Sequence, residues 1–144
     1  SYKGYPHLDE LRIRALMQDG LSGEDAWQSV KYNEGAIDRG IELVTGDESF
    51  FGDNPKTQGI KDQMYGNLMN PETYQDGVAM LEDYIAKINE EIEYMESGMF
   101  SGIRGDELAS AKAALNSFTG DLQWFNDNLL DKYKLYNEEK ERRQ

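Results

Sequence analysis

Two long heptad-spaced runs of apolar residues constrain the fold of this chain more than any other feature. In both runs the spacing alternates between three and four residues. Such alternation places apolar side chains along one side of a helix, as in coiled coils. Each run therefore predicts one long amphipathic helix. The first run consists of Tyr74, Val78, Leu81, Ile85, Ile88, Ile92 and Met95, and the second of Leu108, Ala111, Leu115, Phe118, Leu122, Phe125 and Leu129.

A glycine-rich connector at residues 97–106 separates the two runs. Two heptad helices joined by about ten residues are expected to fold back on each other and pack antiparallel. Gly120 lies inside the second run, but the heptad phase continues through it, so we predict an uninterrupted helix there. Residues 72–144 are thus predicted to form a long antiparallel helical hairpin.

Residues 1–46 have shorter helical patterns, predicted at 7–18, 22–30 and 34–44. Ser22 precedes Asp25 at the spacing of a helix cap, and Gly20 and Gly46 mark helix ends. The second and third helices have the proportions of a helix-turn-helix. Residues 47–71 are predicted to form a hinge loop and a short helix that ends before Pro71. The fold class predicted is all-α, with a small three-helix head of helix-turn-helix proportions, the hinge and the heptad-patterned hairpin.

The composition narrows the classes of function. The chain has 28 Asp and Glu residues against 15 Lys and Arg, a formal net charge of −13. Such a charge repels phosphate and anionic lipid. No apolar run has the length of about 18 residues that a membrane helix needs, and Ser1–His7 do not resemble a signal peptide. The expectation is a cytoplasmic protein that does not bind membranes.

Residues that could support catalysis or hold a metal are few. There is no cysteine, and His7 is the only histidine. The segment at 47–58 begins like a calcium-binding loop, but Phe51 occupies a ligand position and Gln58 replaces the bidentate glutamate. The glycines near residue 100 lack the Lys-Ser/Thr ending of a phosphate-binding loop. We therefore expect a non-enzymatic protein with no cofactor and no metal.

Acidic residues are concentrated on the first heptad helix. Residues 72–98 contain eight acidic side chains and one lysine, a net charge of −7. One interpretation is a docking surface for a basic or nucleic-acid-binding protein, as in a phage-type inhibitor that mimics nucleic acid; the other is a solvated face that confers solubility. The candidate partner-binding residues on this helix are Glu82, Asp83, Glu90, Glu91, Glu93 and Glu96.

Apolar residues in the connector form a second candidate contact. Exposed apolar clusters in loops tend to mark interfaces. They could instead cap the end of the hairpin core. The connector residues in question are Met99, Phe100 and Ile103, with Arg104 beside them.

The alternative function is DNA binding by the third predicted helix. Lys31, Asn33 and Arg39 could contact DNA, although Glu34, Asp38 and Glu42 on the same segment oppose phosphate binding. The order of a helix-turn-helix head followed by a helical hairpin is loosely similar to the layout of phage small terminase subunits. That resemblance implies an oligomeric DNA-binding or packaging adaptor.

Self-association is a further expectation. Several large side chains lie off the two seams, and a two-helix hairpin cannot bury them alone. Either the other helices or a second copy of the chain must cover them, and we favour a homo-oligomer. These residues are Met80, Tyr84, Tyr94, Trp124, Leu130 and Tyr133.

Overall fold

The computed structural model describes residues 6–47, 54–97 and 105–144, and it confirms the all-α prediction. The described residues form six α-helices and no strand. The helices are α1 (Pro6–Gln18), α2 (Gly23–Thr45), α3 (Pro55–Leu68), α4 (Tyr74–Ser97), α5 (Gly105–Asn128) and α6 (Leu130–Arg142).

The prediction of two helices at 22–30 and 34–44 is wrong, because α2 is continuous. Ser22 caps its start by accepting a hydrogen bond from the Asp25 amide at 3.1 Å, and Gly46 ends it in the left-handed conformation. A single apolar face runs through the expected break, formed by Ala26, Val30, Ile37 and Ile41. Without a turn near residue 32, the segment has no helix-turn-helix geometry.

Helices α4 and α5 lie side by side and antiparallel. The rings of Tyr74 and Phe125 are 5.8 Å apart, and those of Tyr84 and Phe118 are 5.9 Å apart. Residue numbers therefore rise along one helix as they fall along the other. The core between them also includes side chains of α2 and α3, among them Ile37, Ile41, Met64, Tyr65 and Leu68.

The buried faces of α4 and α5 differ from the predicted seams in a systematic way. On α4, every second seam residue is buried, whereas Val78, Ile85 and Ile92 are only half-buried, and Gly77 and Tyr84 are buried in addition. On α5, Ala114, Ser117 and Asp121 are buried, while the leucines of the seam are half-buried. A two-helix seam is symmetric, but here α2 and α3 pack on one side of the pair and rotate the buried face toward themselves.

Two glycines allow this close packing. A Cβ on Gly77 would lie 2.5 Å from the backbone nitrogen of Leu68, so α3 and α4 touch through their backbones. A Cβ on Gly40 would lie 2.6 Å from the Cβ of Ala114, so α2 and α5 also approach closely. In contrast, α5 continues through Gly120, as predicted, and a Cβ there would meet no atom within 4 Å.

Candidate functional site

The acidic candidate residues lie along the solvent side of α4, and we call this surface the acidic face. Five of its six carboxylates are exposed, and Glu91 is half-buried. Glu82, Ala86, Glu90 and Glu93 follow one another at single-turn intervals on the outermost line of the helix. Tyr94, 62% exposed, lies beside Glu90 and Glu93. The acidic face consists of Glu82, Asp83, Glu90, Glu91, Glu93 and Glu96.

The neighbouring cations neutralise only part of the acidic face. Lys87 contacts Asp83 at 2.8 Å, and this hydrogen bond raises the pKa of the lysine. Lys112 on α5 contacts Glu96 at 3.1 Å. Within the described residues, Glu82, Glu90 and Glu93 take part in no ion pair. The outer line of α4 therefore presents three carboxylates without an ion-pair partner to solvent, although Lys87 attracts Glu90 electrostatically.

The second predicted contact, at the hairpin connector, lies outside the described residues. It comprises Met99, Phe100, Ile103 and Arg104. Its role as a docking surface stays a prediction.

The three candidate DNA contacts do not share one surface. Lys31 and Arg39 are exposed on the solvent side of α2, two turns apart. Asn33 is half-buried on another side, where its Oδ1 accepts a hydrogen bond from the Ser117 hydroxyl at 3.2 Å. Asn33 thus joins α2 to α5 and stands apart from the two cations.

Lys31 and Arg39 border a shallow groove between α2 and α5. The groove has a volume of about 200 Å³, and small side chains form much of its surface. Tyr32, 68% exposed, stands at its edge. Its lining residues are Lys31, Tyr32, Gly35, Ala36, Arg39, Ser110 and Ala113.

A group of buried charged residues joins α1, α2, α3 and α5. The Arg12 Nη2 lies 3.2 Å from Asp121, and its Nη1 lies 3.7 Å from Glu34 and 3.8 Å from Asp9. Lys61, 1% exposed, contacts Asp38 at 2.8 Å and Glu34 at 3.5 Å. The Tyr65 hydroxyl donates a hydrogen bond of 2.5 Å to Asp121. We call Asp9, Arg12, Glu34, Lys61, Tyr65 and Asp121, together with the half-buried Asp38 at their edge, the buried charge cluster.

Burial shifts the protonation of the buried charge cluster, which contains more negative than positive groups. Four carboxylates face two cations. Burial raises the pKa of Glu34 to about 7, against the lowering effects of Lys61 and Arg12. Burial also raises the pKa of Asp121, although Arg12 lowers it, and burial together with Asp121 raises the pKa of Tyr65. Glu34 therefore titrates near neutral pH.

Sequence reasoning missed this cluster and treated the buried Glu34 as a surface acid. The available signal was a charged residue at an apolar helix position. Glu34 lies four residues after Val30 and three before Ile37, and Asp121 lies three residues after Phe118 and four before Phe125. A charge on a core-facing stripe predicts a buried partner.

Metal-binding sites and membrane-spanning helices were also sought among the described residues. Among the described residues, no three His, Asp or Glu side chains are grouped so that they could hold a metal ion. None of the helices described here is both long and apolar enough to span a membrane.

No protein-family model, curated protein or solved structure matches this chain. The proposals below therefore rest on its own residues.

Proposed function

We propose that this protein is a non-enzymatic interaction module that docks through the acidic face of α4 to a basic surface of another protein. The observation that supports the proposal is the row of exposed carboxylates at Glu82, Glu90 and Glu93, none of which forms an ion pair within the described residues. A rigid row of like charge steers a partner of opposite charge and fixes its orientation.

Helix α4 holds the carboxylates of the acidic face in fixed positions. On its other side, α4 is held by buried Leu81, Ile88 and Met95, each at most 1% exposed. The carboxylates thus project from a fixed backbone about 36 Å long. Tyr94 adds an exposed aromatic ring, a residue type enriched in protein interfaces. A face that only confers solubility needs charged side chains, but it does not need an exposed aromatic ring such as Tyr94 beside them.

Mimicry of nucleic acid is the more specific form of the proposal. If the basic surface of the partner is its nucleic-acid site, duplex DNA will displace this protein from the complex. If the surface has another role, DNA will not compete. DNA binding by Lys31, Asn33 and Arg39 stays a prediction, but the continuous α2 removes the helix-turn-helix geometry on which it depended.

The test is affinity capture from an extract of the organism that encodes the chain. The capture compares the wild type with a variant in which Glu82, Glu90 and Glu93 are changed to Gln. A matched control changes Glu138, Glu139 and Glu141 to Gln on α6, where all three are exposed. Both triple variants lose three negative charges, so only the position of the charge differs.

We expect a basic protein to be retained by the wild type and by the α6 control. The face variant is expected to weaken binding at least about tenfold. Raising the salt concentration from about 0.1 M to about 1 M is expected to release the partner, because it shortens the screening length. A partner retained equally by both variants would rule out the acidic face as the docking surface.

A further inference from the structure

The groove between α2 and α5 has the chemistry of a site for an acidic helix. In a chain of net charge −13, it is bordered by two exposed cations, Lys31 and Arg39. Within the described residues neither cation takes part in an ion pair. Tyr32 adds an exposed aromatic ring at the same edge. The groove therefore offers two cations that form no ion pair within the described residues, beside a surface of small side chains.

Gly35 lies midway between the two cations and leaves space for a close approach. It is exposed in the interior of α2, where a Cβ would meet no atom within 4 Å. Glycine weakens a helix interior relative to alanine, and no contact inside the described structure requires it here. Gly59, Gly66 and Gly120 share this open environment, but they have no exposed cation one turn away on each side.

The acidic face of α4 has the complementary arrangement at the same spacing. Lys31, Gly35 and Arg39 lie at i, i+4 and i+8, so the two cations are about 12 Å apart along α2. Glu82, Ala86 and Glu90 repeat this order on α4 with the opposite charge. In both helices a small, exposed residue separates the two charges. Two ion pairs can therefore form together while Gly35 and Ala86 meet at the closest point.

The charges around the groove also favour one direction of docking. Beyond Arg39, the neighbouring pocket is lined by Glu42, Asp106 and Glu107. In a parallel arrangement, Glu93 would lie near Glu42, and like charges would repel. In an antiparallel arrangement, Glu90 meets Lys31, Glu82 meets Arg39, and Glu93 lies opposite the neutral Gln28. The side chain of Gln28 donates a hydrogen bond to Glu24, so the nearest acid at this end is one turn further from Glu93 and not directly opposite it.

We propose that the groove between α2 and α5 binds the acidic face of α4 from a second copy of this chain, antiparallel, with Gly35 opposite Ala86. This proposal rests on the proposed function, because it uses the same acidic face. In a pair formed by one such contact, one acidic face stays free for a basic partner. The second copy and the partner therefore compete for the other face.

Charge reversal tests the contact from both sides. One variant combines Lys31→Glu with Arg39→Glu, and the other combines Glu82→Lys with Glu90→Lys. All four side chains are exposed, and circular dichroism verifies that each variant is folded. The matched controls are Lys132→Glu with Lys134→Glu, and Glu138→Lys with Glu139→Lys, which make the same charge changes on α6. Light scattering coupled to size exclusion at low salt measures the mass over a range of concentrations.

The wild type and both controls are expected to exceed the mass of one chain as concentration rises. Each groove or face variant alone is expected to self-associate at least about tenfold more weakly. An equimolar mixture of the two is expected to associate again, because each then offers a charge that complements the other. A wild type that stays monomeric at every concentration overturns the proposal. So does association that the reversals leave unchanged, or a mixture that fails to recover.

Cysteine pairing tests the register. The chain contains no cysteine, so Gly35→Cys and Ala86→Cys can be introduced separately and mixed. Oxidation is expected to link the two variants to each other in preference to themselves, since a disulfide needs Cα atoms about 4.4–6.8 Å apart. Ala86→Cys mixed with Leu135→Cys on α6 is the control. Equal cross-linking in both mixtures would contradict the register.

The two proposals can fail separately. The variant with Lys31→Glu and Arg39→Glu keeps the acidic face, so it is expected to capture the basic partner as the wild type does. Capture without self-association would overturn only the groove contact. Self-association that follows the charge reversals without any captured partner would overturn only the proposed function.

Discussion

Gly40 on α2 faces Ala114 on α5 so closely that a Cβ on the glycine would lie 2.6 Å from the Cβ of the alanine. The same Cβ would lie 2.9 Å from Phe118 and 3.2 Å from Ile88. The Cβ of Ala114 is fixed to its backbone and cannot rotate away. Any side chain at residue 40 therefore pushes α2 away from α4 and α5.

We predict that Gly40→Ala destabilises the protein. Overpacking costs about 1–3 kcal/mol, and the better helix propensity of alanine offsets about 1 kcal/mol of that. The expected net loss in the free energy of unfolding, measured by urea denaturation, is up to about 2 kcal/mol. Gly66→Ala is the control, because a Cβ there meets no atom within 4 Å, and it is expected to stabilise α3. Equal effects of the two substitutions would contradict the described packing.

The buried charge cluster predicts a stability that falls as pH rises toward neutrality. The pKa of Glu34 is about 7 in the folded protein, against 4.5 for an ordinary glutamate. Between these values the folded state holds a proton that the unfolded state has lost, so unfolding becomes easier as pH increases. The difference between these two pKa values corresponds to about 3 kcal/mol in the free energy of unfolding. This contribution is lost progressively as pH rises through the folded-state pKa of about 7.

Glu34→Gln provides the control for the pH dependence, because glutamine resembles the protonated acid. The measurement is the free energy of unfolding at several pH values from about 4.5 to about 8. We expect a smaller decline for the variant than for the wild type across this window. Parallel curves for the two proteins would show that Glu34 does not titrate there.

The hydrogen bond from Tyr65 to Asp121 is expected to contribute measurably to stability. Both residues are buried, and removal of the hydroxyl in Tyr65→Phe leaves one oxygen of Asp121 without this donor. A hydrogen bond to a charged group contributes about 1.5–3 kcal/mol. Tyr32→Phe removes a hydroxyl from a side chain that is 68% exposed and is expected to change little. A neutral effect of Tyr65→Phe in thermal unfolding would argue against this contact.

Arg12 is expected to hold α1 against α2 and α5. Its replacement by alanine leaves Asp9, Glu34 and Asp121 without their shared cation, and loss of one partner of a buried ion pair costs about 3–5 kcal/mol. Amide hydrogen exchange should then become faster in α1 before it changes in α4. Arg14→Ala, which breaks only an exposed pair with Glu10, is expected to cost less than about 1 kcal/mol. Similar exchange in the two variants would contradict this role.

Local patterns in the sequence predicted most helices but placed a break at residues 31–33, between two predicted helices. In the structure, Asn33 bonds to Ser117, and Glu34 contacts Arg12 and Lys61, so these polar side chains stabilise the middle of α2. Partners that lie so far along the chain cannot be inferred from a local window. The helix-turn-helix prediction failed for this reason.

The candidate site was predictable only in part. The acidic face was predictable from the sequence, because heptad spacing indicates the general side of α4 that is buried, although the packing of α2 and α3 rotates that face away from the predicted seam. The groove between α2 and α5 could not be predicted from the sequence, because it requires α2 to lie along α5. That arrangement depends on Gly40 and on small residues of α5. Lys31 and Arg39 were identified as exposed cations, but their position beside Ala113 and Ser110 is a tertiary property.

The acidic face can be examined in its native setting with a photo-cross-linking amino acid in place of Ala86, which is exposed between Glu82 and Glu90. Irradiation in cells of the source organism, followed by mass spectrometry, identifies the molecules in contact with this position. We predict a cross-link to a basic protein that disappears when Glu82, Glu90 and Glu93 are changed to Gln and persists in the α6 control. No cross-linked partner, or one that persists when these three carboxylates are neutralised, would contradict docking through the acidic face.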